Sequence, residues 1–160
     1  MRETFVRPNP RPLATGPVQL IEGPVEHGDQ RGRELGFPTA NLTLEDHGAG
    51  DGVWVGTVVL EDGSIYAATV SVGRRVTFYG RDGIRLLEAY LHDFDGDLYG
   101  QNIRVWLHSR LRLQRRFPDV DSLIEQMHQD VADTRTWAGG KAWADVPGTR
   151  AMIDPLAGLA

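Results

Sequence analysis

Cysteine is absent from the 160-residue chain, which excludes disulfides, thiolate nucleophiles, Cys-ligated zinc and iron–sulfur clusters in any compartment. Positive charge is not in excess. Seventeen Lys+Arg stand against 22 Asp+Glu, a formal net charge of −5, and that balance excludes a generally basic nucleic-acid binder. Long apolar runs are missing too: Met1 to Arg7 has no secretory stretch, and no segment approaches the roughly 18–20 apolar residues that would span a bilayer. The expectation is a cytoplasmic, monomeric protein with neither membrane nor nucleic-acid partners. Metal-ligand spacing is lacking as well. His27, His47, His92, His108 and His128 are scattered singly, so zinc is not expected. Asp93, Asp95 and Asp97 misplace the Gly of a calcium loop and lack its terminal Glu, so that stretch reads as a hairpin turn.

What is present fits one domain, since about 100–200 residues is a usual allotment and 41% hydrophobic residues can line a single core. Residues 1–16 carry Pro8, Pro10 and Pro12, a spacing that blocks helix and ladder alike, and read as a loose arm. Residues 138–160 turn rich in Gly and Pro and read as a flexible tail. Between them, 17–137 form the expected domain, with no internal repeat. Runs rich in Val, Ile and aromatics predict strands over Val18–Val25, Val53–Leu60, Ile65–Val72, Val76–Tyr79, Ile84–Phe94 and Asn102–Leu113. Asp-Gly pairs in Glu61–Ser64 and Asp93–Asp97 predict tight hairpins between antiparallel neighbours. Six such strands predict a small closed or nearly closed barrel. Ser122 and Glu125 fit a capping box that opens one amphipathic helix, whose stripe of Leu123, Ile124, Met127 and Val131 should pack onto the barrel.

Chemistry concentrates in two places. In His27 to Leu42, Gly28, Gly32 and Gly36 free the backbone so that N–H groups can converge on an anion, with Arg31 and Arg33 as charged donors; the alternative is a mobile surface loop. The loop suits a polyphosphate but lacks the ending of a Walker A motif. Thr39 and Asn41, two apart on an extended segment after Pro38, point to one side and offer oxygens suited to Mg²⁺, or else merely satisfy backbone groups at a strand end. The second place is Glu88 in Ile84 to Leu91. Alternation puts it on one face with Ile84, Leu86 and Tyr90, both faces being largely apolar. Partial burial would raise its pKa and make it a general base for an attacking alcohol; the alternative is a rim ion pair with Arg33, Arg85 or Arg104. Arg110, Arg112, Arg115 and Arg116 form a basic cluster that could meet a phosphate-bearing ligand or end a strand in solvent.

Gly28 to Asn41 (GDQRGRELGFPTAN), Val70-Ser-Val-Gly73, Glu88 to Gly100 (EAYLHDFDGDLYG), Arg110 to Phe117 (RLRLQRRF) and the helix bearing Gln126, Asp130 and Arg135 together resemble the riboflavin kinase family, in unbroken order over about residues 17–137. The resemblance implies a mainly β fold, a six-stranded antiparallel Greek-key barrel with a C-terminal helix packed on it. It implies transfer of the γ-phosphoryl group of ATP to the ribityl 5′-hydroxyl of riboflavin, giving FMN and ADP. Carried over by position, Thr39 and Asn41 would bind Mg²⁺ and phosphate, and Glu88 would be the catalytic base. Gly28 and Arg33 would belong to a flap over the nucleotide phosphates, Leu91, Asp93 and Tyr99 would lie near adenine, and Arg112, Arg115 and Phe117 near the flavin, with the helix after Ser122 closing that side. Val76 stands where the family pattern has Pro, and Gln114 where many members carry Glu. In most bacterial members the module follows a nucleotidyltransferase domain that makes FAD; here a Pro-rich arm precedes it, so FAD synthesis is not expected. Fold similarity by itself does not guarantee activity. The rival readings are a catalytically silent flavin-binding or regulatory module and a nucleic-acid-binding barrel using the Arg110–Arg116 cluster.

Overall fold

The computed structural model describes residues 19–28, 31–45, 50–74 and 84–139. Its strands are β1 (Gln19–Pro24), β2 (Ala40–Leu44), β3 (Gly52–Val59), β4 (Ile65–Arg74), β5 (Arg85–Leu91) and β6 (Asn102–Arg112), with a single helical turn α1 (Arg31–Glu34) and a long helix α2 (Val120–Gly139). All pairings are antiparallel, in the order β1-β6-β3-β4-β5-β2. A backbone bridge between Glu26, just past β1, and Asn41 of β2 joins the two outer strands and nearly closes the barrel. The chain thus runs β3, β4, β5 as neighbours and returns β6 beside β3, which is the Greek-key order.

That return corrects one expectation. Glu61–Ser64 is a tight hairpin, with Gly63 at φ 87° and Leu60 and Ser64 joined by a backbone hydrogen bond of 2.9 Å. Asp93–Asp97 is not, because β5 and β6 are separated in the sheet and the connection between them crosses a barrel end. Its Asp-Gly pair serves a turn within a long crossover rather than a link between neighbours. A second difference is β2, a five-residue strand absent from the expected set. The expected strand Val76–Tyr79, the arm and the tail beyond Gly139 lie outside the described residues.

The interior is filled by alternate residues. Leu87, Ala89 and Leu91 of β5, Ala40 and Leu42 of β2, and Val58, Val70, Val105 and Leu107 share one core. Each fully buried Val or Leu contributes about 1.5–3 kcal/mol. β3 is buried along its whole length, because its outer face is covered as well: Val53, Val55 and Leu111 pack with Trp137 from the end of α2.

The helix begins one turn before the expected capping box. Asp119 is the N-cap, accepting a 2.7 Å hydrogen bond from the Ser122 backbone N–H, and this lowers its carboxyl pKa. Ser122 therefore sits at the third helical position. Asp119 wins because an ionised side chain at the positive end of the helix caps at least as well as a Ser three residues later. The apolar stripe also departs from expectation. Leu123, Ile124, Met127 and Val131 are only half-buried, and the fully buried helix residues are the polar Asp130 and Thr134. The helix is held to the barrel by these polar groups and by Trp137 at its end, and most of its apolar stripe faces a cavity. No described helix is long and apolar enough to cross a membrane.

Candidate active site

The site lies on the outer wall of the barrel, where β2, β5 and β4 run side by side. Ala40, Leu42, Leu87 and Ala89 point inward, so the alternate positions Thr39, Asn41, Glu88 and Tyr90 point outward. Register sharpens this: Asn41 is directly opposite Glu88, and Glu88 is directly opposite Ser71. Such partners hold their Cβ atoms about 4.5–5.5 Å apart. A neutral amide, a carboxylate and a hydroxyl thus form a row across three strands.

Two cavities flank this row. The first, about 390 Å³, is lined by Gly28, Arg33, Thr39, Asn41, Leu91 and the crossover from Phe94 to Tyr99. The second, about 400 Å³, lies between the wall and α2 and is lined by Thr39, Thr69, Ser71, Glu88, Tyr90, Arg112, Arg115, Phe117 and the apolar stripe of the helix. Thr39 lines both. The first cavity carries polar loops and exposed charge. The second mixes polar groups with aromatic and aliphatic side chains, including Phe37 set edge-on to Tyr90 with ring centres 5.5 Å apart.

Within the first cavity the Thr39 hydroxyl donates to Asn41 Oδ1 at 3.0 Å, and Asn41 is 7% exposed. Gly28 makes this possible. A Cβ there would lie 1.7 Å from Asn41 Nδ2 and 3.0 Å from its Cγ, so only glycine lets the loop close over the amide. Magnesium takes oxygens at 2.0–2.1 Å in an octahedron, whose edge is about 2.9 Å. Two neutral oxygens this close could take adjacent positions around that ion once the Thr39 proton that lies between them turns away. At the mouth, His27 stacks on Tyr99 with ring centres 3.9 Å apart.

The expected loop is more ordered than its glycines imply, since Arg31–Glu34 forms a helical turn that contains Gly32. Asp93 lines neither cavity. At φ 58° it turns outward and pairs with Arg135 of α2 at 3.2 Å; that hydrogen bond lowers its carboxyl pKa and raises that of the guanidinium. The remaining expected residues divide cleanly: Gly28, Arg33, Leu91 and Tyr99 at the first cavity, Glu88, Arg112, Arg115 and Phe117 at the second. Arg85 pairs with Asp51 and Arg104 with Glu22, and both Arg85 and Glu88 have further interactions.

Several residues of the site were not singled out in the sequence. Thr69 and Ser71 face the second cavity from β4, which alternation along Ile65–Val72 could have indicated. Thr69 also anchors a buried chain. Its hydroxyl donates to Thr134 Oγ1 at 2.8 Å, and Thr134 donates to the Asp130 carbonyl. His92 Nε2 lies 2.8 Å from Thr69 Oγ1; with that hydroxyl's only proton committed, His92 must be the donor. Its Nδ1 is then an unprotonated, buried nitrogen without a hydrogen-bond partner. Burial, aided by the Arg135 charge and opposed by Asp93, pushes the His92 pKa down to about 4. Gln114, placed where Glu is common in the family pattern, donates from Nε2 to Ser71 Oγ at 2.8 Å and to the Val72 carbonyl at 3.1 Å. A carboxylate could not donate to that carbonyl.

A family model described as Flavokinase: Riboflavin kinase matches residues 16–138. The chain is 34% identical over 115 residues to the RNA-binding riboflavin kinase RibR of Bacillus subtilis, covering 72% of this chain and 49% of that protein. It is 36% identical over 123 residues to the bifunctional riboflavin kinase/FMN adenylyltransferase of Haemophilus influenzae, covering 76% and 39%. The chain thus spans less than half the length of either relative. Among solved structures, riboflavin kinase from Trypanosoma brucei superposes with a TM-score of 0.57 at 22% identity, covering 91% of this chain and 92% of that one. At that identity the likeness concerns the barrel and helix alone.

Proposed function

The chain belongs to the riboflavin kinase family, and on that premise we propose that it transfers the γ-phosphoryl group of ATP to the 5′-hydroxyl of riboflavin, releasing FMN and ADP. One observation carries the reading: two cavities of different character meet at Thr39, beside a carboxylate. The polar cavity under Gly28 and Arg33 suits the triphosphate, and the one under α2, with its aromatic and aliphatic side chains, suits the tricyclic ring. A ribityl tail leading from the second toward the first would bring its terminal hydroxyl to Thr39 and Glu88.

Phosphoryl transfer asks the protein mainly for alignment and charge neutralisation. Thr39 and Asn41 would hold Mg²⁺, which neutralises phosphate charge when bound. Glu88 would accept the proton as the ribityl oxygen bonds to the γ-phosphorus and the bond to the β,γ-bridging oxygen breaks, the electron pair leaving with ADP. Arg33, exposed at the rim of the first cavity, would meet the phosphates, and closure of its loop would exclude water that otherwise hydrolyses ATP. RNA binding is named for the Bacillus subtilis relative, of which this chain spans 49%; in the basic cluster here Arg112 pairs with Asp130 and Arg115 with Gln126.

Purified chain incubated with riboflavin and Mg²⁺ is expected to form FMN, resolved by chromatography, with ATP preferred in a panel of triphosphates. Flavin binding without FMN formation under any nucleotide or divalent metal would replace this reading with a silent flavin-binding module.

A further inference from the structure

The carboxylate of Asp130, in the second cavity, is heavily committed, yet nothing in the phosphoryl-transfer chemistry needs it. It is 3% exposed. It receives Arg112 side-on, from Nε at 2.9 Å to Oδ1 and from Nη2 at 2.8 Å to Oδ2, and Gln126 Nε2 at 2.9 Å to Oδ1. The other end of the Gln126 amide accepts from Arg115 Nη2 at 2.6 Å. Both guanidinium groups then lie over Phe117, with their central carbons 5.6 and 4.7 Å from the ring centre. A single buried acid on the helix thus sets the positions of two cations and, through them, an aromatic ring. All three line the cavity between wall and helix.

Stability does not account for this arrangement. Removing two charges from water is costly, and a buried pair is often matched or bettered by apolar residues of the same size. Its particular asset is geometry. A planar guanidinium gripped through two nitrogens cannot swing, whereas an unanchored Arg carries much rotamer freedom that a ligand would have to quench. The ring of a flavin is flat, with polar carbonyl groups on one edge. It suits a slot with an aromatic wall and fixed N–H donors.

We propose that Asp130 is a positioning residue for the flavin ring: it holds Arg112 directly, and Arg115 through Gln126, so that Phe117 and the two guanidinium groups stand ready before the ring arrives. The inference rests on the second cavity being the flavin side. Its effect is confined to ring binding, because neither Asp130 nor its partners line the nucleotide cavity.

The test uses the full chain and two probes, riboflavin and lumiflavin, the latter carrying the ring without the ribityl tail; binding is read from quenching of flavin fluorescence. Asp130→Asn keeps the size of the side chain and loses the charge. It is expected to weaken riboflavin and lumiflavin by the same factor, about tenfold, and to raise the KM for riboflavin while leaving the KM for Mg-ATP within twofold. Adding Asp130→Asn to Arg112→Met should weaken lumiflavin little further, since the acid acts through that arginine. A general loss of stability would lower both KM-linked affinities together and add in the double variant. If Asp130→Asn does not fold, the half-buried Gln126→Leu decides by the same readings, with a smaller factor. Unchanged lumiflavin affinity in the folded variant, or an equal loss of nucleotide affinity, overturns the proposal. Should the wild type bind lumiflavin in an Asp130-dependent way yet make no FMN, the role of Asp130 stands and the kinase reading falls.

Discussion

Gly28→Ala tests how the site is built from its backbone outward. The added methyl would sit 1.7 Å from Asn41 Nδ2, so the Asn41 side chain must rotate or the loop must lift. No left-handed conformation is involved at residue 28, so the backbone itself tolerates Ala. Rotation removes the Thr39–Asn41 hydrogen bond, about 0.5–1.5 kcal/mol, and forces a poor rotamer in a buried site, about 0.5–1.5 kcal/mol more. The fold should survive with its midpoint lowered by several degrees. The functional loss should be larger and selective. Displacing one of the two neutral oxygens proposed to hold Mg²⁺ is expected to raise the KM for Mg-ATP about tenfold or more, some 1.4 kcal/mol, with the KM for riboflavin little changed. Gly63→Ala is the matched control. It places Ala at φ 87° with no atom within 4 Å, costing about 1–2 kcal/mol of backbone strain in a distant hairpin, and should lower the midpoint while sparing both KM values. Steady-state kinetics with each substrate varied, alongside thermal melts, separates the two. An unchanged Mg-ATP KM in Gly28→Ala, or an equal rise for riboflavin, would refute the reasoning.

Glu88→Gln should lower turnover by roughly 10²–10⁴ while riboflavin binding, read by fluorescence quenching, survives; a fall of less than fivefold would remove Glu88 from the role of base. Gln114→Glu should destabilise the chain by about 1–2 kcal/mol, because the Val72 carbonyl loses its side-chain donor and meets a carboxylate instead; an unchanged denaturation midpoint contradicts that. His92, whose folded pKa is depressed to about 4 from a reference near 6.5, binds fewer protons folded than unfolded between those values. Stability should therefore decline as pH falls from about 6.5 to about 4. His92→Gln should flatten that part of the profile, and a wild-type profile no steeper than that of the variant would contradict the account.

The sequence disclosed the elements whose period is local. Alternation in Ile84–Leu91 assigned Glu88 and Tyr90 to the face opposite Leu87 and Ala89, as the structure has it. It gave no sign that β5 and β6 lie apart, since an Asp-Gly pair marks a turn without specifying which strands pair; the Greek-key order came from resemblance instead. β2 carries little strand signal because the run after Pro38 is only five residues long, although Leu42 and Leu44 alternate with polar residues. Along the helix, spacing identified the apolar stripe of Leu123, Met127 and Val131 but not what it faces. A 3.6-residue period says that one side is apolar; whether a barrel wall or an open cavity lies opposite depends on the polar anchors Asp130 and Thr134. Those anchors contact Arg112 and Thr69, 18 and 65 residues away in sequence, which no local pattern reports. The juxtaposition of Thr39 and Asn41 was legible because they are two apart on one extended segment, while the reason Gly28 must be glycine appears only once the loop is seen lying on Asn41.

The central claim is that the phosphoryl acceptor reaches Thr39 from one cavity while the donor reaches it from the other, with Glu88 at the meeting point. A crystal structure with riboflavin and Mg-bound, non-hydrolysable ATP addresses it most directly. The account predicts the ribityl 5′-oxygen within about 2.6–3.2 Å of a Glu88 carboxylate oxygen, and the terminal phosphate on the Thr39–Asn41 side of that oxygen. A flavin seated elsewhere than between the wall and α2, or a 5′-oxygen out of reach of Glu88 with both ligands bound, would contradict it.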